Sequence, residues 1–222
     1  MPAGRCLNII TPLHTCTKRD YLARMTDDKV RCSIVAREYG RDYWDGERRY
    51  GYGGYRYDGR WKPVAERLIR HYGLRDGARI LDVGCGKAHL LYELSRLLPQ
   101  AEVAGFDVSA YGLEDSPPEL RHQLFVHRAE DPYPYPDAHF DLVISLMALH
   151  NLGLPALGAA LAEIERVGKA KFIAVESFRN EQELFNLQCW ALTCESFLRP
   201  EAWEWMFDTA RYTGDYEFAF FE

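Results

Sequence analysis

The 222-residue sequence is short of several features that would direct its function elsewhere. Its six cysteines, at positions 6, 16, 32, 85, 189 and 194, form no Cys-x-x-Cys pair, and its seven histidines complete no zinc spacing. A chain of this length is stable without disulfides, so reduced thiols are expected. Positive charge is also scarce. Lysine and arginine number 27 against 33 aspartates and glutamates, for a net charge of −6, which argues against a protein that holds nucleic acid through a general phosphate footprint, a local basic patch apart. The longest apolar run, LVISLMAL, is far too short to span a membrane, and the N-terminus shows no charged-then-apolar signal layout. A cytoplasmic protein with no membrane, nucleic-acid or metal partner is expected, with a homodimer left open.

What is present divides at about residue 75. Residues 1–75 are polar and then densely aromatic, while from 76 onward short apolar runs alternate with helical patterns, the mark of βαβ units around a parallel sheet. Strands are expected at RILDVG, EVAGFDV, LFVHRA, FDLVISL, KFIAVES and DYEFAFFE. Helices are expected at AHLLYELSRLL, LPALGAALAEIERVG, NEQELFNLQCWALTCESF and PEAWEWMFDTAR, with an irregular connection over 111–118. In the N-terminal part, TKRDYLARM and TDDKVRCSIVAREYG read as short helices, the second capped by Thr26 or Asp27 and ended by Gly40. WKPVAERLIRHYG reads as an amphipathic helix with Pro63 in its first turn. The division predicts a cap over 1–75 and a nucleoside-binding domain over 76–222.

The chemistry concentrates at RILDVGCGKAHLL. Gly84 and Gly86 follow the first strand, where open α/β sheets bind ligands, and glycine lets backbone N–H groups approach a ligand closely. Asp107 ends the next strand, 21 residues after Gly86, and its carboxylate suits the hydroxyls of a ribose. The dinucleotide fingerprint requires a third glycine three residues after the second, and that position is His89. Asp82, two residues before the first glycine, suits the ammonium of an amino acid better than a pyrophosphate. Cys85 reads as a small filler of the turn.

LDVGCGKAHLL resembles motif I of the class I S-adenosylmethionine (SAM)-dependent methyltransferases. GFDVS is similar to their second-strand acid, FDLVISLMALHNL to their fourth strand and following loop, and ESFLRPEAWEWMFDTARYTGDYEF to their late helix and sixth strand. The resemblance covers residues 76–222. It implies an α/β, doubly wound, mostly parallel sheet that binds SAM across its carboxyl edge. It also implies that Asp82, Gly84, Cys85 and Gly86 cradle the methionine part, and that Asp107, Val108, Ala129, Glu130 and Ser145 complete the cofactor site. Three departures stand out. Ala88 replaces the usual third glycine of motif I, a change expected to cost little. Arg128 replaces the aspartate often found after the third strand. The usual final antiparallel strand has no counterpart in the sequence.

Methyl transfer requires alignment of nucleophile, carbon and sulfur, and a base where the acceptor is a hydroxyl or an ammonium. His150 after the fourth strand and Glu176 at the end of the fifth are the candidate catalytic residues, each with a packing or solvated role as the alternative. The acid set for metal-assisted transfer and the Asn/Asp-Pro-Pro-Tyr motif are both absent, which points to a small polar acceptor. The stretch RDYWDGERRYGYGGYRYDGRW carries five tyrosines and two tryptophans among five glycines, too aromatic for a disordered linker. Packing of cap on core explains it as readily as a substrate wall of Tyr50, Tyr52, Tyr55, Tyr57, Arg60 and Trp61, whose rings suit the faces of a sugar or nucleotide sugar. Arg56 and Arg60 suit a carboxylate. A non-catalytic SAM-binding subunit or sensor, and an NAD-dependent oxidoreductase, are the rival readings.

Overall fold

The computed structural model describes residues 4–222. Six strands form one sheet: β1 (Arg79–Val83), β2 (Glu102–Asp107), β3 (Leu124–Val126), β4 (Phe140–Leu146), β5 (Gly168–Glu176) and β6 (Asp215–Ala219). Their order is β3-β2-β1-β4-β5-β6, and every pairing is parallel. This is the doubly wound arrangement expected from the sequence. Its reversal of direction between β1 and β4 opens a crevice at the carboxyl ends of the strands.

The strands alternate their side chains between two apolar layers. Leu81, Val83, Val143, Ile173 and Val175 face one layer, with Trp203 and Phe207; Ile80, Leu142, Ile144, Phe172 and Ala174 face the other. The first layer is covered by α8 (Leu154–Val167) and α10 (Pro200–Thr209). The second is covered by α5 (Lys62–Tyr72) and α6 (His89–Leu97). Helix α5 supplies Val64, Ala65 and Leu68 to that core, although it lies before the change in texture near residue 75. Its start with Pro63 in the first turn and its end at left-handed Gly73 follow the sequence expectation.

The remaining N-terminal elements run along the ligand edge: α1 (Thr11–His14), α2 (Tyr21–Thr26), α3 (Lys29–Ala36), α4 (Arg41–Asp45) and a 3₁₀ turn at Arg48–Tyr50. The cap of α3 is Asp28, whose carboxylate accepts the Arg31 N–H, rather than Thr26 or Asp27. The helix stops at Ala36, and Gly40 precedes α4 instead of ending α3. A short α7 (Ala110–Glu114) stands in the expected irregular connection. Helix α9 (Glu181–Trp190) is shorter than its apolar pattern suggests, because the chain turns extended at Ala191 and lays 191–193 against the cavity described below.

Residues 4–7 cover the outer edge of β6. Cys6 bridges Tyr216 in parallel, the Leu7 N–H donates to the Tyr216 carbonyl at 2.8 Å, and the Tyr216 N–H donates to the Arg5 carbonyl at 3.0 Å. Buried Glu217 then accepts N–H groups from Ile9 (2.5 Å), Ile10 (3.0 Å) and Thr11 (2.6 Å), which starts α1 at the sheet edge. The orphan N–H groups of a helix start, together with their partial positive charge, explain why a buried carboxylate is stable there. No helix among the described residues is long and apolar enough to cross a membrane.

Candidate active site

A cavity of about 390 Å³ lies at the carboxyl edge of the sheet, bounded below by the ends of β1, β4 and β5 and above by the N-terminal elements. Of the residues read from the sequence, it brings together Asp82, Gly84, Cys85, Gly86, His150, Glu176, Tyr52, Tyr55, Arg60 and Trp61.

The glycine turn is built as its composition requires. Gly84 and Gly86 adopt φ of +77° and +56°, values that disfavour side chains. A Cβ on Gly84 would lie 2.5 Å from the Cβ of Ala148, so the turn is pressed against the loop after β4. On Gly86 it would lie 2.6 Å from Cη2 of Trp44. That indole is buried, donates through Nε1 to Ser109 Oγ at 2.7 Å, and lies parallel to the ring of Tyr52. The immediate neighbour of the turn is therefore α4 of the N-terminal part. Ala88 also sits in the left-handed region, at φ +55°, so its methyl costs roughly 1–2 kcal/mol against glycine rather than little.

Asp82 is buried on the cavity wall. Burial, with Asp107 nearby, pushes its carboxyl up to about 8, and no cation is close enough to bring it down. A buried acid in that state fits a ligand that arrives with its own positive charge, as the ammonium of an amino acid does. The free protein carries the cost. Because this pKa lies above the ordinary 3.8, the folded state holds the proton more tightly than the unfolded chain. The associated stability is full below pH 4 and is lost as pH rises toward 8. Asp82→Asn should flatten that loss: between pH 5 and 8, in thermal melts of unliganded protein, the melting temperature of the wild type should fall several degrees further than that of the variant. Equal slopes would show that Asp82 is not a strained acid.

Asp107 spends its carboxylate on the turn itself. Oδ2 accepts the Gly86 N–H and Oδ1 the Ser109 N–H, both at 2.8 Å, leaving a lone pair on each oxygen. Val108 is exposed beside it. Ala129 is half-buried, its carbonyl taken by the Tyr133 hydroxyl, and Glu130 pairs with Arg128. These four stand at the β2 and β3 ends, outside the enclosed cavity. Ser145 is turned away altogether: it is fully buried and donates to the Val83 carbonyl at 2.8 Å, tying β4 to β1. Burial raises the Cys85 thiol well above its ordinary value, in keeping with a filler.

Two of the aromatic residues face elsewhere. Tyr50 packs with Cys32, Ala36 and Leu192, and the Tyr57 hydroxyl donates to Glu93 at 2.6 Å. Tyr55 stacks on His89, which occupies the position of the missing dinucleotide glycine, and accepts a hydrogen bond from Trp61 Nε1 at 2.7 Å. Arg60 is held by Asp58. The segment is thus part packing and part cavity wall. A second tie binds it down: fully buried Lys87 reaches Asp45 at 2.6 Å and Asp115 at 2.7 Å.

At the β5 end, His150 is buried and held neutral, its pKa pushed down to about 3 chiefly by burial. Its Nδ1 accepts the Glu176 backbone N–H at 3.3 Å, which assigns the ring proton to Nε2. Nε2 lies 3.4 Å from Glu176 Oε2, too far for a good hydrogen bond, and that oxygen is buried without a partner. Burial raises the Glu176 carboxyl to about 7 despite the opposing pull of Arg19 and Lys29. The cavity is also lined by His14, Arg19, Arg24, Arg48, Trp44 and Trp190, which the sequence reading did not single out. They are scattered over nearly the whole chain with no periodicity, and only Trp44 and Arg48 lie inside the aromatic stretch.

Comparison with known proteins agrees with this architecture. A family model described as a methyltransferase domain matches residues 74–211, and the chain belongs to that family. S-adenosylmethionine is the cofactor this membership implies. Demethylmenaquinone methyltransferase of Staphylococcus aureus is 32% identical over 112 residues, or 49% of this chain and 46% of the relative. The chain thus spans about half the length of the curated relatives it matches. The YcgJ protein of Bacillus subtilis shares the fold, with a TM-score of 0.54, 20% identity and 66% of each chain covered. So does the BH2331 protein of Bacillus halodurans, with a TM-score of 0.52, 19% identity, and 66% of this chain and 67% of that one covered.

Proposed function

We propose that the protein transfers a methyl group from S-adenosylmethionine to a small polar acceptor of sugar or nucleotide-sugar type, within the cavity between the glycine turn and the N-terminal elements. The observation that carries this reading is the meeting of buried, cation-free Asp82 and unpartnered Glu176 on one cavity walled by aromatic rings. Asp82 holds the ammonium of the cofactor, Gly84 and Gly86 give it a close backbone approach, and Asp107 and Val108 flank its nucleoside. When bound, the cofactor supplies an electrophilic methyl group. The protein's part is to position the acceptor, exclude water and take up a proton.

Glu176 is the proton acceptor in this reading, and His150 is a positioning residue. Histidine has already committed Nδ1 to the backbone and keeps its proton on the side of Glu176. A carboxyl with a pKa near 7 sits where a base works best at neutral pH. Turnover to S-adenosylhomocysteine, measured against a panel of sugars and nucleotide sugars, should rise with pH through about 7. Glu176→Gln should lower it by about 10²- to 10⁴-fold and abolish that rise. An unchanged pH profile in the variant would remove Glu176 from the role. Failure of any acceptor to be turned over, with the cofactor bound, would favour the non-catalytic binding subunit.

A further inference from the structure

Three guanidinium groups surround one indole in the cavity. The carbons at the centre of Arg19, Arg24 and Arg48 lie 5.5, 5.2 and 4.9 Å from the Trp190 ring. All four residues line the cavity. Among the described residues none of the three arginines pairs with a carboxylate. Their N–H groups go to uncharged acceptors instead: Arg19 to His14 and the carbonyls of Thr17 and His14, Arg24 to those of Trp190, Arg48 and Arg49, and Arg48 to that of Gly51. Such bonds orient a guanidinium without neutralising it. The Arg19 Nε is buried and has no partner at all.

We propose that the acceptor is an anion, and that Arg19, Arg24 and Arg48 around Trp190 bind its carboxylate or phosphate group. Like charges gathered in a half-buried wall repel one another, and arginine forks match carboxylate and phosphate oxygens two at a time. The position of the cluster separates it from the cofactor's own carboxylate. Arg19 is near enough to Glu176 to pull its carboxyl downward, whereas no arginine affects Asp82, which marks the amino-acid end of the cofactor site. The anion is therefore held on the β5 side, next to the group that takes up the proton. Arg60, already neutralised by Asp58, adds little. Sugar acids and sugar phosphates combine the ring that the aromatic wall suits with the charge that the arginines require.

The inference rests on reading this cavity as the transfer site, and the test separates the two. Binding of glucuronate, glucose 6-phosphate and neutral glucose is measured by calorimetry, with and without S-adenosylhomocysteine, on wild type and on Arg19→Gln, Arg24→Gln and Arg48→Gln. S-adenosylhomocysteine is titrated separately against every protein, and circular dichroism reports folding. The charged sugars should bind at least tenfold more tightly than glucose, and each variant should lose about tenfold for them while keeping its affinity for S-adenosylhomocysteine. Preference for one charged sugar assigns the group as carboxylate or phosphate. Equal binding of charged and neutral sugars overturns the proposal and leaves the transfer reading intact. Variants that lose S-adenosylhomocysteine instead also overturn it, because the arginines would then serve the cofactor. Anion binding without any cofactor binding would uphold the anion site and end the transfer reading. Should a variant fail to fold, the comparison of charged and neutral sugars on wild type, repeated at high salt, decides alone: loss of the preference with salt supports the proposal, and no preference at either ionic strength rejects it.

Discussion

Gly86→Val should abolish cofactor binding, with affinity reduced by at least about 100-fold. The backbone there has φ +56°, where a branched residue is strained by roughly 1–2 kcal/mol. The new side chain would also enter the ring of Trp44, whose edge lies 2.6 Å from the Cβ position. To make room the indole must move, giving up its hydrogen bond to Ser109 and its parallel contact with Tyr52. Those losses add about 1 kcal/mol each. The turn and the covering helix would both be displaced, so the cofactor would meet a distorted cradle under an unseated roof. Calorimetric titration with S-adenosylmethionine measures the effect, and circular dichroism confirms that the sheet persists. A folded variant with ordinary affinity would show that the turn serves packing alone.

Asp107→Ala should weaken cofactor binding by about 10- to 150-fold, the equivalent of 1.5–3 kcal/mol for charge-assisted hydrogen bonds. Part of that loss would come through the protein. Asp107 fastens the Gly86 and Ser109 N–H groups, so its removal loosens the turn and the start of α7 as well as the proposed ribose site. Asp107→Asn separates the contributions: it keeps one acceptor oxygen for the backbone but removes the charge. An alanine variant that binds the cofactor as wild type does would refute the nucleoside assignment.

Much of this was legible in the sequence because it is local. A glycine with positive φ, an acid at a strand end and a proline in a first helical turn act within a few residues, and their signatures survive in one dimension. The apolar strands read correctly because a sheet buried on both faces leaves its run of apolar residues unbroken. Boundaries were less secure where tertiary partners intervene. Helix α9 stops at Trp190 because Lys29 of α3 takes the Cys189 and Ala191 carbonyls, and no residue near 190 announces this. Ser145 was assigned to the cofactor site only through the resemblance. Its hydroxyl was claimed by a neighbouring strand, and strand adjacency is a long-range property.

The sequence by itself therefore determined the parallel α/β sheet, the glycine turn and the acids near the ends of β1, β2 and β5, since propensity, periodicity and spacing suffice for each, while the doubly wound order followed from the resemblance of its motifs. Only the tertiary structure decided which faces meet across the carboxyl edge. It placed Trp44 against Gly86, left Glu176 Oε2 without a partner, and gathered Arg19, Arg24 and Arg48 around Trp190, some 140 to 170 positions away in the chain. Contacts of that separation arise from burial and packing of the whole molecule, and arginines brought together only by folding share no spacing that a reading of the chain can detect.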